Sequence, residues 1–122
     1  MGARVLIAED EANLVESLSF ILEREGHQVC SVADGEAALS ALRSNPPQLL
    51  ILDVMLPRLN GFEVLKALRA DPVLKALPVI VLTAKTQVHD RQLAEAIGVD
   101  AYITKPFANQ DIVEQVRRLT TA

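Results

Sequence analysis

Apolar residues fall into two kinds of run that alternate along the chain. Arg4–Ala8, Leu49–Asp53 and Pro78–Leu82 are short stretches without polar alternation. Such runs suit strands covered on both faces, as in a parallel sheet under helices. Between them the apolar positions take helical spacing. Leu14, Leu18, Ile21 and Leu22 predict a helix over 13–25, stopped by Gly26. Val29 and Val32 mark a second strand within 27–32. Asp34-Gly35 opens a second helix with Ala38, Leu39 and Leu42 inward, broken by Asn45-Pro46-Pro47. After the polar loop 58–61, a third helix turns Phe62, Leu65 and Leu68 inward, and Asp71-Pro72 ends or kinks it. Residues 87–97 predict a fourth, more polar helix around Leu93, Ala96 and Ile97, stopped by Gly98. A fifth strand spans 100–104. A last helix, capped by Asn109, turns Ile112, Val113, Val116 and Leu119 inward.

Strict alternation of five strands with five helices predicts an α/β fold of right-handed parallel βαβ units. The expected strand order is 2-1-3-4-5, with the site where strands 1 and 3 diverge, at the carboxyl ends of the strands. The 122 residues read as one domain over 1–122. Half of them are hydrophobic, but with three Phe, one Tyr and no Trp the core must be aliphatic.

Net charge is −4, and no basic stripe is present. That balance argues against direct nucleic-acid binding by this domain. No apolar run approaches a membrane span, and residues 1–8 lack the pattern of a signal peptide. The lone Cys30 excludes an internal disulfide, fits a reducing, cytoplasmic setting, and reads as a small core residue. His27 and His89 read as surface residues.

The strand ends carry the chemistry. Glu9-Asp10, Asp53, Thr83 and Lys105 close strands 1, 3, 4 and 5, so all should meet at one edge of the sheet. Three carboxylates in one pocket repel unless a cation sits between them. Oxygen-only ligands select a hard cation such as Mg2+. Asp53 would then face an incoming phosphoryl group, with Lys105 and Thr83 as donors to its oxygens. Singly, these residues also have plain readings. Asp10 and Thr83 could cap helices, Glu9 and Lys105 could be solvated charges, and Tyr102 could be ordinary half-buried packing.

Glu9-Asp10, Asp53 with Pro57 and Gly61, Thr83-Ala84, and Tyr102 with Lys105-Pro106-Phe107 together resemble the receiver domain of bacterial response regulators. The closest pattern is that of the subfamily carrying winged-helix DNA-binding domains. The resemblance covers the whole chain and implies a flavodoxin-like doubly wound sheet. It implies that Asp53 accepts a phosphoryl group from a histidine kinase or phosphotransfer protein, without turnover of an external substrate. It implies Mg2+ held by Asp10, Asp53 and the main-chain carbonyl of Met55, with Glu9 acting through water. Thr83 and Lys105 would contact the phosphoryl group, Tyr102 would turn inward when Thr83 moves, and the Lys105–Pro106 bond would be cis. The resemblance extends to a homodimer through the fourth helix, fifth strand and fifth helix, with Arg91, Asp100 and Asp111 as interface charges. Two positions depart from that pattern: Ala101 replaces an acid and Gln115 a base.

Two neighbours of the pocket bear on rate. Met55 and Lys85, each two residues after a site residue, offer no carboxylate or amide to orient an attacking water, which predicts a long-lived phosphoryl state. Met55 also argues against an aspartate-nucleophile phosphatase, whose general acid would occupy that position. The acidic loop after the first strand argues against a flavin module, since it would repel phosphate.

Overall fold

The computed structural model describes residues 2–84 and 88–120; Lys85 lies outside the described residues, as do the side chains of Val88 and His89. The elements alternate as predicted: β1 Arg4–Ala8, α1 Ala12–Arg24, β2 Gln28–Val32, α2 Gly35–Ser44, β3 Leu49–Asp53, α3 Gly61–Ala70, β4 Val79–Thr83, α4 Val88–Ile97, β5 Ala101–Thr104 and α5 Asn109–Thr120. All neighbours pair in parallel, in the order β2-β1-β3-β4-β5.

The continuous apolar runs mark the central strands. Every residue of β3 and β4 is buried, because both faces of each strand are covered. Alternate residues feed two separate cores. Leu49, Ile51, Ile80 and Leu82 pack with Leu18 and Leu22 of α1 and Ile112 and Val116 of α5. Leu50, Leu52 and Val81 pack with Leu42 of α2 and Leu65 and Leu68 of α3. Fully burying each such side chain contributes about 1.5–3 kcal/mol relative to leaving it exposed.

Local signals set several boundaries. Asp34 caps α2 by accepting from Ala37 N–H at 2.8 Å, and Asn60 caps α3 by accepting from Glu63 N–H at 3.0 Å. Gly26 follows the end of α1 with φ +92, a conformation that a Cβ would penalise. The last helix starts one residue earlier than predicted, with Asn109 as its first residue rather than its cap.

Two sequence expectations fail at β2, the edge of the sheet. Cys30 is exposed rather than a core residue. β2 is covered less completely than the central strands, and its side chains at Gln28, Cys30 and Ser31 face solvent. His27 is half-buried rather than on the surface, and its Nδ1 accepts the Ala3 N–H at 3.0 Å.

Arg69, near the end of α3, ties together the sheet's far end. Its guanidinium donates to the carbonyls of Gly98 at 2.8 Å, Lys75 at 2.9 Å and Leu77 at 2.7 Å. These bonds fasten the turn between α4 and β5 to the segment entering β4.

Candidate functional site

Topology brings the predicted strand ends together. β1 and β3 pair directly, and the helices that follow them leave on opposite faces of the sheet. A cleft therefore opens at the carboxyl ends of these two strands. Parity along the strands then decides which side chains meet. Val5 and Ile7 in β1, Leu49 and Ile51 in β3, and Ala101 and Ile103 in β5 all point to the α1/α5 face. Glu9, Asp53 and Lys105 continue that alternation.

Accordingly, Lys105 Nζ lies 2.9 Å from Glu9 Oε1 and 3.2 Å from Asp53 Oδ2. Asp53 is 4% exposed, and its Oδ1 accepts the Met55 N–H at 2.9 Å. Main-chain and side-chain donors thus hold both of its oxygens. Glu9 is 3% exposed, so it is no solvated charge. Its Oε2 also accepts the Glu11 N–H at 3.1 Å.

Asp10 remains exposed. It does not cap α1: the cap position is Glu11, which makes no side-chain capping bond. One carboxylate oxygen from each of Glu9, Asp10 and Asp53 lies within 4.8 Å of the others.

Burial pushes the Glu9 carboxyl up from 4.5 to about 7; the Lys105 hydrogen bond opposes this and Asp53 adds to it. For Lys105, burial by itself would favour the neutral amine. Hydrogen bonds and charge from Glu9 and Asp53 outweigh it, so the ammonium is held above its ordinary value.

The loop after Asp53 is tightly fixed. A Cβ on Gly61 would lie 2.5 Å from the Asp53 carbonyl oxygen, so only glycine lets α3 start this close to β3. Gly61 N–H donates to the Val54 carbonyl at 3.1 Å. Arg58 takes φ 68 and reaches Asp34, the cap of α2, at 3.9 Å and Glu36 in its first turn at 3.7 Å. The Met55 side chain is 55% exposed beside the cleft.

Thr83 is fully buried at the end of β4, and its carbonyl accepts the Lys105 N–H at 2.7 Å. The Lys105–Pro106 bond is cis, as expected. Tyr102 pairs with Val81 across the sheet and packs against the α2/α3 core. Thr83, two residues past Val81, lies on that same face. Burial, and then the charge of Asp90, push the Tyr102 hydroxyl's pKa above its ordinary value, while Arg91 opposes them.

The three dimer candidates differ in their surroundings. Asp111 is exposed on α5. Arg91 Nε lies 3.4 Å from Glu95 Oε2 on its own helix. Asp100 has an intrachain role that the sequence did not suggest: its Oδ2 accepts the Val79 N–H at 2.8 Å and lies 3.4 Å from Arg69. Arg69 itself escaped the sequence reading, since a lone base on a helix looks like a solvated charge.

The donor set suits a hard divalent cation. It is all oxygen, carries three acids, and is open to solvent on the Asp10 side. No helix among the described residues is long and apolar enough to cross a membrane.

Comparison with known proteins agrees with this geometry. The response regulator receiver domain family matches residues 5–117. The alkaline phosphatase synthesis transcriptional regulatory protein PhoP of Bacillus subtilis is 39% identical over 119 residues, 98% of this chain and 49% of the relative. The DNA-binding response regulator MtrA of Mycobacterium tuberculosis is 42% identical over 117 residues, 96% of this chain and 50% of the relative. The chain therefore spans about half the length of these curated relatives. A solved receiver domain of the sensor histidine kinase PA1611 from Pseudomonas aeruginosa superposes with TM-score 0.91 at 26% identity, covering 100% of both chains. That structure has a magnesium ion coordinated in its active-site cleft. On the family match and on these identities, the chain belongs to the response regulator receiver domain family.

Proposed function

We propose that this domain is a phosphoacceptor in two-component signalling, with Asp53 as the acceptor. The observation that carries the reading is the buried Asp53 carboxylate, bonded to Lys105 and grouped with Glu9 and Asp10 at the open end of β1 and β3. A phosphohistidine on a kinase or phosphotransfer protein is the donor. An Asp53 oxygen forms a P–O bond as the donor's P–N bond breaks, leaving an acyl phosphate on Asp53 and a free histidine.

Asp10, Asp53 and the Met55 carbonyl would hold Mg2+, with Glu9 bonded through water. When bound, the ion neutralises charge on the transferred group. The chain's own residues do the rest. Met55 N–H keeps the Asp53 carboxylate aimed into the cleft. Lys105, whose main-chain N–H bonds the Thr83 carbonyl, turns its side chain from Asp53 to a phosphoryl oxygen.

Thr83 donates its hydroxyl to a second phosphoryl oxygen, which requires the end of β4 to move. Tyr102, on the same sheet face, then fills the space behind Thr83. The surface formed by α4, β5 and α5 changes shape, and a partner or output domain reads that change. Arg91, Asp100 and Asp111 would be the interface charges of a homodimer through this surface, with Arg91 and Asp100 also engaged within the chain. The reaction consumes one phosphoryl group per domain, so this is a switch rather than a turnover enzyme, and its setting is cytoplasmic.

The test is intact mass after incubation with acetyl phosphate, with Mg2+ or with EDTA, on wild type and Asp53→Asn. One phosphoryl group should appear on wild type with Mg2+ only. Equal labelling of Asp53→Asn would overturn the assignment.

A further inference from the structure

Arg91 of α4 lies over the ring of Tyr102 in β5, with its Cζ 5.5 Å from the ring centroid. That is within the roughly 6 Å reach of a cation–π attraction. Glu95, one turn further along α4, restrains the same guanidinium at 3.4 Å. The stack joins α4 to β5 at the edge of the sheet. Ala94 is the only fully buried side chain of α4 among the described residues. β5 is an edge strand whose residues are all half-buried. The one aromatic ring on β5 is therefore held in part by a cation from the most loosely packed helix.

We propose that Arg91 is a positioning residue for Tyr102: its guanidinium clasps the ring in the resting orientation and must release it before the ring turns toward Thr83. This rests on the phosphoacceptor reading and adds to it an intrachain task for Arg91, separate from any contact with a second copy. The clasp stabilises the resting state alone, so it lowers the affinity for anything that binds only the switched state. A cation–π contact at an exposed site is worth enough to shift that balance about two- to five-fold.

The experiment measures binding of beryllofluoride, as the phosphoryl mimic, in the presence of Mg2+ by calorimetry. Wild type, Arg91→Ala and Arg91→Lys are compared, each also in a Tyr102→Leu background. Arg91→Ala should tighten binding about two- to five-fold. Arg91→Lys, which keeps a cation over the ring, should stay nearer wild type. In the Tyr102→Leu background the effect of Arg91→Ala should vanish.

A second readout needs no mimic. Tyr102 is the only tyrosine and the chain has no tryptophan, so acrylamide quenching of tyrosine emission reports on this ring alone. Quenching should rise in Arg91→Ala and not in Arg91→Lys. Unchanged affinity in Arg91→Ala, or the same change in the Tyr102→Leu background, overturns the clasp alone. A wild type that binds no beryllofluoride overturns the phosphoacceptor reading and the clasp with it.

Discussion

Replacing Lys105 with Met should destabilise the metal-free domain by an amount that grows with pH. Lys105 Nζ bonds Glu9 at 2.9 Å and Asp53 at 3.2 Å, and the two carboxylate side chains are only 2% and 5% exposed. Losing a charge-assisted hydrogen bond costs about 1.5–3 kcal/mol, and that part should be present at every pH. The rest depends on Glu9. In wild type this carboxyl titrates at about 7 against 4.5 ordinarily. The fold therefore holds more protons than the unfolded chain between those values, and stability falls as pH rises through that window. Above about pH 7 both states are ionised and the wild-type curve is flat.

Without the ammonium, the Glu9 carboxyl rises further. The variant should then keep losing about 1.4 kcal/mol per pH unit beyond 7, where wild type has stopped. At pH 6 the two proteins should differ only by the lost hydrogen bonds. At pH 8.5 the difference should be larger by about 2 kcal/mol. Urea denaturation in EDTA at pH 6, 7 and 8.5 measures this. A stability difference that stays constant or shrinks with pH would refute the argument that Lys105 offsets a buried, reluctant carboxylate.

Three further outcomes follow from the same geometry. Glu9→Gln should flatten the pH dependence of metal-free stability between 4.5 and 7, removing a slope that amounts to about 3 kcal/mol across that window; urea midpoints across that range would show it, and an unchanged slope would contradict it. Arg69→Ala should cost at least about 2 kcal/mol, because three carbonyls lose a charged donor, yet leave phosphorylation of Asp53 intact; denaturation and intact mass check the two halves. The exposed Met55 side chain cannot orient water, so the phosphoryl group should persist for minutes at 25 °C; its loss within seconds, without a phosphatase, would contradict that.

Much of the fold was legible because β3 and β4 are buried on both faces. Leu49–Leu52 and Val79–Leu82 had to be continuous apolar runs, and such runs announce a covered parallel sheet. The alternation of elements then restricted the topology, which in turn placed Asp53 beside Glu9 and Asp10. β2 was harder to read. It is an edge strand with partial cover, so the apolar character of Cys30 said little about which way it points. Taken singly, Glu9 read as a solvated charge because its partner is 96 positions away in sequence, and only the grouping of strand ends placed it in the pocket. Its burial depends on the closeness of the β1 and β5 ends, which no local pattern encodes. Arg69, and the intrachain role of Asp100, were missed for the same reason. Their bonds link α3 to the turn between α4 and β5, and single polar residues on exposed elements carry no periodic signal. The Arg91–Tyr102 stack likewise exists only once α4 lies against β5.

The account stands on one atom, the Asp53 carboxylate oxygen proposed to take the phosphoryl group. Phosphorylated protein can be reduced with borohydride, which converts an aspartyl phosphate to homoserine, then digested and sequenced by mass. Homoserine at position 53 and at no other acid is the predicted result. Homoserine at position 10, 5-hydroxynorvaline at position 9, or no reduced residue anywhere in protein that carries a phosphoryl group, would contradict it.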